Sequence, residues 1–267
     1  VLIKNYLPTM NRSEIFLVMV SGMGTIAGSV MGTYIGMLGG TDPAAKVLFA
    51  THLLSASVMA VPGSIVLAKM LCPQTEEATD HVAISGKEKE NSNILDAISS
   101  GTVTGVKLMT NIAAMLLVFI SLVALANYIT EGVIGRYTGL NDWIVKITDG
   151  KAQGLTFQFI LGVITSPFMW LIGVPSQDIM LVGSLLGQKT ILNEFVAYFQ
   201  LQQWKDAGLF MYEKSILMST YILCGFANIS SIGILLGGLG VLAPEKRGLI
   251  SRIGVPAMIG GALVSVL

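Results

Sequence analysis

The chain has 267 residues, of which 53% are hydrophobic and only 12% charged, against about 25% charged in a soluble domain. A mean hydropathy of +0.72 and 30 glycines set the class as a membrane protein, since Gly is commoner in membrane helices than in soluble ones. Sixteen basic and sixteen acidic residues cancel, which removes the electrostatic case for a nucleic-acid partner.

Apolar stretches of about 20 residues are long enough to cross a bilayer. Residues 15–39, 46–71, 106–129, 216–242 and 249–267 are expected to be spanning helices. The first is interrupted by Ser21-Gly-Met-Gly-Thr-Ile-Ala-Gly-Ser29 and the fourth by Cys224-Gly-Phe-Ala-Asn-Ile-Ser-Ser-Ile-Gly233. Aligning Gly22 with Gly225 pairs Thr25 with Asn228 and Ile26 with Ile229, a thin internal repeat. Gly/Ser/Thr-rich stretches more often pack helices together than bind ligands. Gly-interrupted segments in two halves of a chain nevertheless point to a secondary transporter's midplane site. Cys72 and Cys224 lie in or beside apolar runs and read as small hydrophobes. His52 reads as a hydrogen-bonded core residue and His81 as a solvated one.

The polar stretch 73–93 is expected to be an exposed, mobile loop, with Glu76, Glu77, Asp80, Lys87, Glu88, Lys89 and Glu90 solvated. Single spans put it on the same side as Lys4, Arg12, Lys246, Arg247 and Arg252, and a small positive-charge bias favours that side as cytoplasmic. Residues 155–173 and 177–200 fit a single span less well. The second has Gly183 and Gly187 in its first half and Lys189, Asn193 and Glu194 at its middle, so a helix-break-helix hairpin is expected. Its tip must be covered by protein or line a cavity, because irregular backbone is not tolerated against lipid. Asp178 and Lys189 are candidates for an ion pair within it.

Glu194 is the leading functional residue. A carboxylate in hydrocarbon costs roughly 2.5–3.5 kcal/mol on insertion scales, so it faces a water path, a counter-charge or a ligand. Asn228 and Ser231, three apart, share one helix face. Two His and two Cys with no ligand spacing disfavour a metal centre of that type. An intramembrane enzyme is disfavoured because no HExxH or GxSxG occurs and His52 has no evident partner.

The stretch Gly187-Gln-Lys-Thr-Ile-Leu-Asn-Glu-Phe-Val-Ala-Tyr198, with Gly225-Phe-Ala-Asn-Ile-Ser-Ser231, resembles the concentrative nucleoside transporter family. Ser13-Glu-Ile-Phe16, Thr25-Ile-Ala-Gly-Ser-Val30 and His52-Leu-Leu-Ser-Ala-Ser-Val58 resemble the same family, so the likeness covers essentially the whole chain. It implies an all-α membrane protein, a multispan helical transporter with re-entrant hairpins, broken helices and an inverted-repeat transport domain beside a scaffold helix. On that pattern the transport domain takes 1–72, 174–203 and 213–267. The polar loop is 73–93, the scaffold helix 94–129, a further loop 130–154 and an interfacial helix 155–173. Nucleoside uptake by alternating access, coupled to a cation (usually sodium), is implied, in a homotrimer in the inner (plasma) membrane. A proton-coupled symporter of the same fold is the alternative, a channel a more distant one.

Carried over residue by residue, the resemblance makes Glu194 an acceptor for ribose hydroxyls, with Asn228 and Ser231 reaching the same sugar. Phe226 and Val30 would line the pocket, and Thr25 with the Ile26 carbonyl would contribute to a sodium site. No other cofactor is implied. Family members often have Ser where Thr25 stands. They also carry a Gln-Thr-Glu-Ala-Pro motif at the tip of a first hairpin. Val1-Leu-Ile-Lys-Asn-Tyr6 resembles the segment immediately downstream of that motif, so the chain is expected to be a C-terminal part with half a substrate site, unable to transport alone.

Overall fold

The computed structural model describes residues 6–76, 93–148, 150 and 152–267, and the described residues are helical or irregular, with no strand. They fall into two compact units, Val1–Val82 with Gln158–Leu267, and Ala83–Phe157. His81 and most of the charges expected on the polar loop lie outside the described residues.

In the first unit, α1 (Arg12–Gly24) starts on a reciprocal cap. The Asn11 side chain accepts from the Glu14 amide at 3.0 Å while Glu14 accepts from the Asn11 amide at 2.8 Å. The helix stops at Thr25, in extended backbone, and restarts as α2 (Gly28–Gly39). α3 (Pro43–Leu71) begins with Asp42 as cap and Pro43 in the first turn, where a missing N–H costs nothing. The expected fourth span is likewise divided, into α10 (Glu213–Leu223) and α11 (Ile229–Leu242), and α12 (Arg247–Val266) closes the chain. Arg12–Gly39, Pro43–Leu71 and Pro244–Val266 are long and apolar enough to cross a membrane.

The hairpin is present as α8 (Ile179–Ile191) and α9 (Glu194–Asp206), preceded by α7 (Phe157–Leu171). Its break falls at Leu192 and Asn193, not at Gly183 or Gly187. Those two glycines lie within α8 and admit α7. A Cβ on Gly183 would stand 3.0 Å from the Gly162 carbonyl oxygen, and one on Gly187 2.5 Å from Leu161 Cβ. This is the close approach that small residues permit between membrane helices. The expected Asp178–Lys189 ion pair does not form, because 11 residues of helix at about 1.5 Å each hold the two at opposite ends of α8. Asp178, fully buried, instead accepts from the Met211 and Tyr212 amides at 3.0 and 3.1 Å, fastening the approach to α10.

Two main clusters form the core. One joins α1, α3, α11 and α12 through Ile15, Met19, Met23, Leu67, Ile253 and Val264. The other joins α2, α3, α8, α9 and α10 through Tyr34, Leu38, Leu53, Leu185, Tyr198 and Leu223. Two lysines lie at opposite ends of this unit. Lys246 donates to the Met10 carbonyl at 2.9 Å at one end, and Lys205 to the Leu38 carbonyl at 2.8 Å at the other.

The second unit consists of α4 (Ile94–Asn127), a π-helical continuation at Tyr128–Gly135, a single turn α5 (Arg136–Thr138) and α6 (Leu140–Ile147). α4 begins at Ile94, capped by Asn93, twelve residues ahead of the apolar run that announced it. Residues 130–154, expected as a loop, are therefore largely helical. Asn141 fixes their path: its Nδ2 donates to the Glu131 carbonyl at 3.0 Å and its Oδ1 accepts from the Leu155 amide at 3.0 Å.

Candidate functional site

Two half-helices start at the site, and each starts on an asparagine. Asn193 caps α9, its side chain accepting from the Val196 amide at 2.9 Å, and Asn228 caps α11, accepting from the Ser231 amide at 2.9 Å. Both caps have extended backbone, the geometry a side-chain cap requires. Glu194 directly succeeds its cap, so its carboxylate stands at the positive end of the α9 dipole. It is 4% exposed.

Each oxygen of that carboxylate has one side-chain partner. Tyr34 of α2 donates its hydroxyl to Oε1 at 3.3 Å, and Asn228 donates Nδ2–H to Oε2 at 3.1 Å. A carboxylate offers about four lone-pair sites, so acceptor capacity remains beyond the two side chains and the Glu194 amide beneath it. Asn228 Oδ1 lies within reach of three donors: the Ser231 amide, the Ser230 hydroxyl at 2.6 Å and the Ser231 hydroxyl at 2.9 Å. Two lone pairs cannot serve three donors. The Ser231 hydroxyl has a second acceptor in the Phe226 carbonyl, and with a single hydrogen it donates there. Ser231 oxygen is then left as an acceptor, and Asn228 keeps one Nδ2–H to give.

The structure thus brings together Glu194, Asn228, Ser231 and the Phe226 backbone from elements far apart in sequence. Val30 and Ile26 pack at the edge of the Tyr34–Tyr198 cluster, beside the site. Thr25 lies in the break between α1 and α2. Its hydroxyl donates to the Ser21 carbonyl at 2.9 Å, which leaves its lone pairs available. Among the described residues no backbone N–H donates to the Ile26 carbonyl. A free carbonyl and a hydroxyl oxygen in an unwound segment, past the C-terminal end of a half-helix, are the donors such transporters offer to Na⁺. The donor set fits the ion.

The two breaks cross. Gly225 has φ +132°, and a Cβ there would stand 2.9 Å from the Gly24 carbonyl oxygen. Both the backbone conformation and the contact require glycine.

One participant does not stand out from sequence, and another has partners other than the one expected. Tyr34 reads there as one aromatic in an apolar run. Lys189 belongs to the motif, but its partners are not the expected one. The fully buried ammonium donates to the Ile222 carbonyl at 2.8 Å, in the last turn of α10, and to the Ser265 hydroxyl at 2.7 Å in α12. His52, half-buried, has its expected hydrogen bond, Nδ1 to the Tyr221 hydroxyl at 3.0 Å.

A family model described as "Na+ dependent nucleoside transporter C-terminus" matches residues 52–267. Sodium/nucleoside cotransporter 1 of Rattus norvegicus is 38% identical over 280 residues, covering 100% of this chain and 40% of that protein. The nucleoside permease NupC of Helicobacter pylori is 36% identical over 263 residues, covering 98% of this chain and 57% of that one. Among solved structures, CNTnw in an inward-facing substrate-bound state is 34% identical with a TM-score of 0.79, over 99% of this chain and 58% of that chain. A variant of CNTnw in an outward-facing state is 34% identical with a TM-score of 0.81, over 99% and 59%. The chain thus spans between 40% and 59% of the length of these relatives. Its fold is that of a multispan helical transporter, and the family is one of transporters, not enzymes. The chain belongs to the concentrative, Na⁺ dependent nucleoside transporter family, matching the C-terminal region of its members.

Proposed function

We propose that the protein is a cation-coupled secondary active transporter that takes up nucleosides by alternating access, with sodium as the coupling ion. The observation that carries this reading is the buried Glu194 carboxylate, held by Tyr34 on one oxygen and by Asn228 on the other. A ribose diol is a pair of donors, and an acceptor-only carboxylate is matched to it. Charge-assisted hydrogen bonds of this kind are the strong ones. Ser231 oxygen adds an acceptor and the spare Asn228 Nδ2–H a donor for a sugar oxygen. Phe226 and Val30 supply apolar lining.

Thr25 and the Ile26 carbonyl are the residues of this chain that would hold the ion. Bound there, its charge stabilises the unwound α1–α2 junction that crosses Gly225, and so couples ion occupancy to the segment carrying Asn228. With Glu194 4% exposed and Asn228 and Ser231 fully buried, substrate reaches them only when the elements around them move.

In the full assembly, residues 1–72, 174–203 and 213–267 belong to the moving transport domain. Residues 94–129 are the scaffold helix, 73–93 and 130–154 connect, and 155–173 lie along the membrane surface. The assembly is a homotrimer, multi-pass in the inner membrane. The test is uptake of labelled uridine and adenosine by the full-length protein, with and without sodium. Saturable uptake that requires sodium is expected. Uptake indifferent to sodium but driven by a pH gradient would replace the coupling ion, and non-saturable flux would remove the carrier.

A further inference from the structure

Beyond the residues that meet the sugar, one side chain is placed to aim them. Tyr34 lies one helical turn after Val30 in α2, on the same face, and is fully buried. Its ring stacks on Tyr198 of α9 with centroids 4.1 Å apart and planes 23° from parallel, and Phe195 lies beside it with centroids 6.3 Å apart. Tyr198 is itself anchored, its hydroxyl donating to the Thr220 carbonyl in α10 at 2.8 Å. The Tyr34 ring therefore has no freedom to swing, and its hydroxyl ends at Glu194 Oε1.

A carboxylate on a long side chain rotates about its terminal bond over a broad range. Asn228 alone would fix one oxygen and leave the plane free to turn about that contact. A second donor on the other oxygen, from a different helix, fixes the plane. We propose that Tyr34 is the positioning residue of the substrate site, its hydroxyl setting the orientation of the Glu194 carboxylate so that its remaining acceptor capacity faces the sugar diol. The role rests on the nucleoside reading given above. It also makes the site composite. α2 supplies the aim, α9 the acceptor and α11 the opposing donor, so recognition requires all three half-helices to be docked together.

The bland alternative is an aromatic core in which the hydroxyl contact is incidental. Tyr34→Phe separates the two, because it keeps the ring and the stack and removes only the donor. Displacement of labelled uridine from the purified full-length protein, normalised to folded protein, would be measured with uridine and with 2′,3′-dideoxyuridine as competitors. The variant is expected to bind uridine about 10-fold more weakly, the scale of one charge-assisted hydrogen bond, and the dideoxy analogue within about 2-fold of wild type. An equal loss for both competitors would mark a packing role and overturn the proposal, as would no loss for either. Wild-type protein that binds no uridine would instead remove the nucleoside reading, and this role with it.

Discussion

Asn228 and Glu194, 34 residues apart, meet through a 3.1 Å hydrogen bond between the first turns of two different half-helices. The bond ties the tip of the hairpin to the break between α10 and α11. It also leaves Asn228 with a second Nδ2–H to give beside a carboxylate that accepts. A sugar hydroxyl, donor and acceptor at once, is complementary to that pair.

This geometry makes Glu194→Gln a selective lesion. The amide can satisfy both neighbours: its oxygen accepts from Asn228 and its nitrogen donates to the Tyr34 oxygen. Folding and insertion are therefore expected to survive. The diol, however, would meet one acceptor and one donor in place of two acceptors. Loss of two charge-assisted hydrogen bonds, about 1.5–3 kcal/mol each, predicts at least about 100-fold weaker uptake. Uridine uptake by membranes with matched amounts of wild type and variant is the measurement, and normal uptake would reject the role of Glu194.

Gly225→Ala is expected to be severe for a backbone reason. The residue has φ +132°, and its Cβ would stand 2.9 Å from the Gly24 carbonyl oxygen, which cannot rotate away. Strain of this type costs about 1–3 kcal/mol before the clash is counted. Gly233, by contrast, has nothing within 4 Å of a new Cβ and lies inside α11. Gly233→Ala should be neutral or stabilising by up to about 1 kcal/mol. In detergent, purified Gly225→Ala should melt below wild type and Gly233→Ala at or above it.

What the sequence made legible was what the bilayer makes unfavourable. A carboxylate in an apolar stretch, and breaks rich in glycine and hydroxyls, stand out because each is costly in hydrocarbon. They led to Glu194, Asn228 and Ser231, which the structure brings together. The turn falls at Asn193, in the middle of the expected hairpin, and its side chain caps α9, while Gly183 and Gly187 lie inside α8 and let α7 approach. Tyr34 was hidden. An aromatic in an apolar run has the same pattern whether or not its hydroxyl has a partner 160 residues away. The helical turns between Tyr128 and Ile147 were hidden because Gly132, Gly135 and Gly139 cut the stretch into pieces too short to read as a helix.

Asp178 predicts a stability effect without a direct effect on the site. It is fully buried and accepts from two backbone amides at the approach to α10. Asp178→Ala strands both amides, and at about 1–3 kcal/mol for each unsatisfied donor the loss should be about 2–6 kcal/mol. Asp178→Asn keeps one acceptor and should fall between. If the alanine variant melts with wild type, water must replace the carboxylate.

Lys189 poses a sharper balance. Its ammonium is fully buried and its two partners, the Ile222 carbonyl and Ser265 hydroxyl, are neutral. Lys189→Met leaves a carbonyl unpaired, at about 1–3 kcal/mol, but relieves the desolvation of a charge, worth several kcal/mol. The two offset, so melting should change by less than about 2 kcal/mol. The contact nevertheless joins the hairpin, five residues before Glu194, to α10 just ahead of its break. Uptake should therefore fall although the fold is retained, and unchanged uptake would make Lys189 a bystander.

Thr25 tests the ion. Its hydroxyl gives its hydrogen to the Ser21 carbonyl, so what it can offer a cation is lone pairs. Thr25→Val keeps the shape and removes them, while Thr25→Ser keeps them and removes only a methyl group. If Thr25 and the Ile26 carbonyl hold sodium, the valine variant should need at least about 10-fold more sodium for half-maximal uptake, the equivalent of about 1.4 kcal/mol of ion binding. Its uridine affinity at saturating sodium should stay close to wild type, because Thr25 does not touch the Glu194–Asn228 pair. The serine variant should match wild type in both. A valine variant with an unchanged sodium requirement would move the ion away from the α1–α2 break, and the Ile26 carbonyl with it.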